Sequence, residues 1–282
     1  MRLSLQTRER ASALRAQILN LTGIRKAGFF LQYDHVADTE KQRPHYPEVA
    51  QLFEGRRPDF ERLLDAAAGA APALCDDTVA PAINWNAVMF PPLDTLFTYT
   101  ILKRSGAAKV LEIGSGASTR AIVRGLAAST RPGQLTCIDP APRQDISGLG
   151  ARHIRRVMRE SDVSLVDDFA ANDVLFIDSS HYMLPGTDVD LQFNRIFPRL
   201  KPGVLVHVHD IFLPNDYPPH WKRRWYSEQN ALVGWILSGF FEVVLAGNYV
   251  TATMKDSVTA KLGNFPPLAR SRKSGSLWMR KT

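Results

Sequence analysis

Short apolar runs alternate with helical patterns through the second half of the chain. The runs predict strands at residues 109–113, 134–139, 153–158, 174–178 and 203–209, and two further candidates lie at 240–246 and 277–280. Between them, apolar residues recur at helical spacing, for example at Val189, Phe193 and Ile196. Strands that alternate with helices are typical of a mainly parallel sheet covered by helices on both faces. The pattern therefore predicts an α/β fold.

The N-terminal part of the chain lacks this alternation. Its apolar spacing predicts a helix over residues 8–22, ended by Gly23, and two short helices at 47–54 and 58–69. Alanine and proline accumulate around residues 70–82, which indicates a linker. The sequence thus predicts a helical N-terminal extension over residues 1–82 and an α/β domain over residues 83–282.

The first predicted strand ends in a glycine turn that runs directly into a helix. Gly114 and Gly116 form a Gly-x-Gly pair, and Glu112 precedes it, where a carboxylate would face a ligand. A phosphate-binding loop would need Gly-x-x-x-x-Gly-Lys-Ser/Thr, which the chain lacks, and Thr119 occupies the third glycine position of a dinucleotide site. The carboxylate favours a cationic ligand such as S-adenosylmethionine. An ordinary tight strand–helix turn is the alternative.

The second predicted strand ends at Asp139, about twenty residues downstream, where a carboxylate can bind both hydroxyls of a ribose. With this acid, the sequence resembles the class I S-adenosylmethionine-dependent methyltransferases over roughly residues 85–282. The resemblance implies a Rossmann-like, seven-stranded methyltransferase sheet with helices on both faces. It also implies cofactor-binding roles for Glu112, Gly114, Ser115, Gly116, Asp139 and, near the adenine, Asp162.

Acids and histidines follow the fourth and fifth predicted strands. Asp178-Ser179-Ser180-His181 and His209-Asp210 resemble the metal-dependent O-methyltransferases of catechols and of antibiotic sugars. The resemblance implies that Asp178 and Asp210 bind a metal and that Asp178 and His181 are catalytic, with His181 as the base. His209 replaces an acid of that pattern. We predict it as a third metal ligand, which leaves Mg²⁺ or another divalent ion open.

A long loop, residues 210–226, follows the fifth predicted strand. It contains several aromatic residues and prolines together with Lys222-Arg223-Arg224. Loops of this length are usually functional or disordered, and this composition argues against disorder. The sequence is compatible with two roles for this loop: a lid over the substrate, or packing against the N-terminal helices.

Composition narrows the function classes. Of 282 residues, 45% are hydrophobic, no run is long enough to span a membrane, and two distant cysteines fit a reducing, cytoplasmic setting. The net charge of +7 admits a nucleic-acid-binding protein that retains the fold, but no nucleic-acid motif accompanies it. We expect an enzyme that methylates a hydroxyl of a small-molecule acceptor, a sugar or a secondary metabolite. A metal-independent N- or O-methyltransferase using His181 is the second hypothesis, and homo-oligomerisation stays open.

Overall fold

The computed structural model describes residues 5–24, 33–39 and 44–282. The chain divides into two compact units, residues 1–43 and 44–282. Within the described part of the first unit lie two helices, α1 (Leu5–Leu21) and α2 (Val36–Thr39). Leu14, Ile18 and Leu21 on α1 are exposed.

The second unit contains the predicted sheet. Its strands are β1 (Lys109–Ile113), β2 (Gln134–Ile138), β3 (Arg152–Ile154), β4 (Val174–Ile177), β5 (Leu205–Val208), β6 (Phe241–Ala246) and β7 (Leu277–Lys281). Its α-helices are α3 (Pro47–Gly55), α4 (Arg57–Leu74), α5 (Pro92–Ser105), α6 (Ala117–Ala127), α7 (Asp188–Leu191), α8 (Glu228–Leu237), α9 (Gly247–Thr253) and α10 (Lys255–Leu262). No helix in the described ranges is both long and apolar enough to cross a membrane.

The seven strands form one sheet in the order β3-β2-β1-β4-β5-β7-β6. Neighbours from β3 to β5 pair in parallel, whereas β7 is antiparallel to both β5 and β6. Consecutive residues of β4 and β5 are all buried, so helices and loops cover both faces of the sheet. The predicted seven-stranded α/β fold is confirmed.

The largest differences between predicted and observed bounds are at β3 and at the expected linker. The third strand was expected over residues 153–158, but β3 ends at Ile154, because the Arg156 amide turns back to donate to the Ile154 carbonyl at 2.9 Å. The expected linker at 70–82 is helical as far as Leu74, since Ala70 and Ala71 are buried in the core. The compact unit begins at Pro44, so α3 and α4 belong to it. The functional division at residues 82 and 83 stays a prediction.

The helices α3 and α4 share the hydrophobic core of the sheet. Phe53, Phe60 and Leu64 are completely buried within this core. Hydrogen bonds also join α6 to the segment around the end of α4, because the buried guanidinium of Arg124 donates to the carbonyls of Val79 and Ala73 at 2.7 Å each. Because β1, β2, β4 and β5 run parallel, their carboxyl ends lie along one edge of the sheet, where ligands bind in open parallel sheets.

Candidate active site

The glycine turn after β1 touches the end of β4. Gly114 has φ +79°, and a Cβ atom added to it would lie 1.9 Å from the carbonyl oxygen of Asp178. The Asp178 amide also donates to the Ile113 carbonyl at 2.9 Å. Only glycine fits this left-handed, crowded position. The glycine turn, which is predicted to bind the cofactor, therefore contacts Asp178, which is predicted to be catalytic.

Glu112 lies beneath this turn, and its carboxylate is fully buried. One oxygen accepts from Ser118 Oγ at 2.7 Å, and the other accepts from Thr119 Oγ1 at 2.8 Å and Cys137 Sγ at 3.2 Å. Burial raises the pKa of Glu112 to about 7, although these donors oppose the shift. The sequence suggests a carboxylate that faces the ligand, whereas in the structure Glu112 joins β1 to the first turn of α6.

Asp139 faces the same turn from the end of β2 and is half-buried. Its carboxylate accepts the Ser115 amide at 2.7 Å and the Ala141 amide at 2.7 Å. The Gly116 amide is capped by Thr119 Oγ1 at 2.9 Å. The predicted residues Gly114, Ser115, Gly116 and Asp139 therefore lie together around one turn.

Asp162, expected near the adenine, lies just beyond β3 and is buried. Both of its oxygens are bound by the Arg156 guanidinium, at 2.6 and 2.7 Å, and one also accepts the Arg159 amide at 2.8 Å. The Arg156 guanidinium and the Arg159 amide lower the pKa of Asp162 below its usual value, although burial opposes this shift. Both carboxylate oxygens of Asp162 are thus hydrogen-bonded within the segment after β3, and its role near an adenine stays a prediction.

The acids and one histidine after β4 and β5 form a compact cluster. Ligand atoms of Asp178, His181 and Asp210 all lie within 4.8 Å of one another, a spacing suited to a metal ion. His181 Nε2 is 3.6 Å from Asp210 Oδ2 and 3.9 Å from Asp178 Oδ1. The side chain of Asp178 keeps 25% of its surface exposed and that of Asp210 keeps 14%, so the cluster is open on the acidic side.

Backbone strain coincides with this cluster. His181 has φ +64° and Asp210 has φ +59°, in the left-handed region that non-glycine residues rarely adopt. Such conformations persist where the surroundings enforce them, and they concentrate at functional sites. The His181 carbonyl accepts the amides of Ser227 and Glu228 at 3.0 and 3.2 Å, which holds the strained residue on the start of α8.

Each of the two histidines is oriented by a fully buried carboxylate. His181 Nδ1 donates to Glu228 Oε2 at 2.8 Å, and His209 Nε2 donates to Asp94 Oδ2 at 3.1 Å. The other ring nitrogen of each histidine therefore faces Asp178 and Asp210. His209 Nδ1 lies 3.5 Å from Asp178 Oδ1 and 3.6 Å from Asp210 Oδ1.

The charges at the cluster are strongly coupled. Burial alone would raise the pKa of Asp178, but the imidazoles of His209 and His181 outweigh it and lower the pKa to about 2. Burial lowers the pKa of His209 and of His181, yet the surrounding carboxylates raise both pKa values above the usual range. Without another cation, both imidazoles thus tend to hold a proton between the acids.

The sequence patterns do not reveal that Glu228 and Asp94 orient the two histidines. Both are acids in the first turn of a helix, where a carboxylate usually interacts with the helix terminus. Their histidine partners lie 47 and 115 residues away, so only the fold reveals the pairing. His207 lies two residues before His209 on the same strand, but it stacks on Phe176 with ring centroids 3.8 Å apart and lies in the core.

The loop after β5 packs on the body of the domain beside this cluster. The Phe212 amide donates to Gln229 Oε1 at 2.9 Å, and the Gln229 amide donates to the Tyr217 hydroxyl at 3.2 Å. The Tyr226 ring lies 4.7 Å from the His181 ring between centroids. The loop is therefore an ordered wall of the site, and its role as a lid stays a prediction.

Comparison with known proteins adds independent findings. A sequence model described as a methyltransferase domain matches residues 111–211. A search of curated proteins finds no match.

Three similar solved structures are an S-adenosylhomocysteine-bound methyltransferase of Podospora anserina, an O-methyltransferase of Bacillus cereus with S-adenosylhomocysteine, and the O-methyltransferase TomG of Streptomyces achromogenes with S-adenosylmethionine. Their identities are 15%, 14% and 14%, and their TM-scores are 0.43, 0.37 and 0.34. The matches cover 90%, 78% and 77% of this chain and 99%, 90% and 89% of the other chains.

The matched segment begins within β1, includes the glycine turn and Asp139, and ends just after Asp210. It therefore contains the turn and the cluster described above. The segment that holds the turn and the cluster thus matches a methyltransferase domain, and it lies in a seven-stranded α/β sheet.

Proposed function

We propose that this enzyme transfers the methyl group of S-adenosylmethionine to a hydroxyl of a small molecule, with a divalent metal ion held by Asp178 and Asp210. The observation that carries the proposal is the cluster of Asp178, His181 and Asp210, whose ligand atoms lie within 4.8 Å of one another. Two neighbouring carboxylates are common ligands of a divalent ion, and the imidazole of His181 beside them is free to accept a proton. The buried His209 Nδ1, which has no hydrogen-bond partner, also fits a cation between these acids.

The cofactor is expected on the glycine turn. Asp139 is well placed to accept the ribose hydroxyls, and the glycines at 114 and 116 would let a cofactor approach the backbone closely before α6. Glu112 is buried, so we assign it to supporting the turn from below. Because Gly114 touches the backbone of Asp178, a methyl donor on the turn would lie beside the acidic cluster.

The difficult partner in this reaction is the acceptor, because a hydroxyl is largely protonated at neutral pH. A bound divalent ion would lower the pKa of that hydroxyl. His181 Nε2 faces the same acids and would take the proton, while Glu228 holds the opposite ring nitrogen. The Tyr226 ring and the loop after β5 would shield the reacting atoms from water.

The test is turnover by metal-stripped protein with S-adenosylmethionine and a panel of catechols and sugars, followed by addition of single metal ions. We expect S-adenosylhomocysteine to form only after metal is restored, and His181→Ala to lower turnover by 10²-fold or more, the scale of general-base catalysis. Full turnover after chelation would favour the metal-independent alternative with His181 alone. Salt-sensitive nucleic-acid binding without turnover would favour the nucleic-acid-binding alternative.

A further inference from the structure

His209 has one bound ring nitrogen and one that is buried without a partner. The residue is 1% exposed, and its Nε2 donates to Asp94 at 3.1 Å. Its Nδ1 forms no hydrogen bond, because the nearest oxygens of Asp178 and Asp210 lie at 3.5 and 3.6 Å. A buried polar atom without a partner costs free energy, so such a position calls for a functional explanation.

Asp94 fixes which nitrogen of His209 carries the proton. Its fully buried carboxylate also accepts from Ser274 Oγ, from the Gly275 amide at 3.0 Å and from the Ser276 amide at 3.3 Å. Both oxygens of Asp94 accept from these donors, so the proton between Asp94 and His209 lies on Nε2. In the neutral imidazole, Nδ1 then presents a lone pair toward Asp178 and Asp210.

We propose that Asp94 is a positioning residue that makes His209 Nδ1 a metal ligand, and that the resulting mixed nitrogen and oxygen site selects a transition metal ion over Mg²⁺. The proposal rests on the metal-assisted function above. Imidazole nitrogen suits Mn²⁺, Fe²⁺, Co²⁺ and Zn²⁺, whereas Mg²⁺ prefers oxygen. Carboxylates that orient ligating histidines typically contribute 10- to 100-fold to metal affinity.

The pair of Glu228 and His181 provides an internal control. Glu228 is equally buried, but its Oε1 has no hydrogen-bond partner. In Glu228→Gln the amide nitrogen can therefore replace Oε1 without breaking a hydrogen bond, and the amide oxygen can still accept from His181 Nδ1. Glu228→Gln removes one buried charge near the site without changing the ligand that Asp94 orients. It should therefore leave the preference among metals unchanged.

The experiment is calorimetric titration of the metal-stripped, full-length protein with Mg²⁺, Mn²⁺ and Co²⁺. We expect wild type to bind Co²⁺ at least 100-fold more tightly than Mg²⁺, and Asp94→Asn to weaken Co²⁺ binding 10- to 100-fold with little effect on Mg²⁺. His209→Asp should bring the two affinities to within about tenfold, and Glu228→Gln should keep the wild-type ratio.

An unchanged ratio of Co²⁺ to Mg²⁺ affinity in both Asp94→Asn and His209→Asp would overturn the proposal while leaving metal assistance intact. Wild type that binds none of the three ions would overturn metal assistance itself. If Asp94→Asn does not fold, the electron spin-echo spectrum of Mn²⁺-loaded wild type tests whether a nitrogen atom binds the metal. Nitrogen modulation that disappears in His209→Asp supports the proposal, and its absence from wild type refutes it.

Discussion

The buried carboxylate of Glu112 should make the stability of this protein depend on pH in an unusual direction. Its pKa is raised from 4.5 to about 7, first because of burial. Between these values the folded protein keeps a proton that the unfolded chain has lost. Stability therefore falls as the pH rises through this window, and it stays reduced above pH 7.

The size of the effect follows from the two pKa values. At about 1.4 kcal/mol for each pH unit, the interval from 4.5 to about 7 corresponds to about 3.5 kcal/mol in total. Between pH 5 and pH 8, the linkage relation gives a loss of about 2.5 kcal/mol in the free energy of unfolding. Glu112→Gln has nearly the same shape and cannot ionise, so the variant should lack this loss.

The assay is urea unfolding of wild type and Glu112→Gln at pH 5, 6, 7 and 8. We expect the free energy of unfolding of the variant, relative to wild type, to increase by about 2.5 kcal/mol from pH 5 to pH 8. Glu160→Gln, which removes an exposed carboxylate, controls for the loss of a charge. A difference between Glu112→Gln and wild type that is constant across the range would refute the assignment of Glu112 as the titrating group.

Three further predictions use matched variants. Gly114→Ala places a methyl group against backbone and should cost about 3–5 kcal/mol in urea unfolding, whereas Gly148→Ala, with a similar φ and open space, should cost about 1–2 kcal/mol. Arg124→Met removes a buried guanidinium that donates to backbone carbonyls and should destabilise by about 3 kcal/mol, while Arg120→Met on the same helix, at the surface, should cost under 1 kcal/mol. Asp139→Ala should weaken S-adenosylmethionine binding by about 1.5–3 kcal/mol in calorimetry, and wild-type affinity would remove Asp139 from the site.

Much of the fold was predictable because its strands are short, apolar and bounded by glycine or acid. The ends of β1, β2, β4 and β5 emerged from this pattern, and a parallel sheet necessarily gathers such ends along one edge. This is why Asp178, His181 and Asp210 were correctly expected to lie together. The predicted extent of β3 was wrong, since the hydrophobic pattern does not reveal the backbone turn at Arg156.

The surroundings of the site could not be predicted in the same way. Asp94 and Glu228 gain their partners through tertiary packing, and each reads in sequence as an ordinary helix-start acid. Likewise, the burial of Glu112 depends on hydroxyl and thiol donors that surround it only in the folded chain. Sequence patterns thus located the chemical groups, while the hydrogen bonds that orient them required the structure.

The most direct test of the central claim is a crystal structure of this protein with S-adenosylhomocysteine and Mn²⁺, measured for the anomalous scattering of manganese. We predict the nucleoside on the turn at Gly114, with its ribose on Asp139, and a manganese peak within bonding distance of Asp178 and Asp210. A structure with the nucleoside bound, saturating Mn²⁺ present and no anomalous peak at these two acids would contradict metal-assisted methyl transfer.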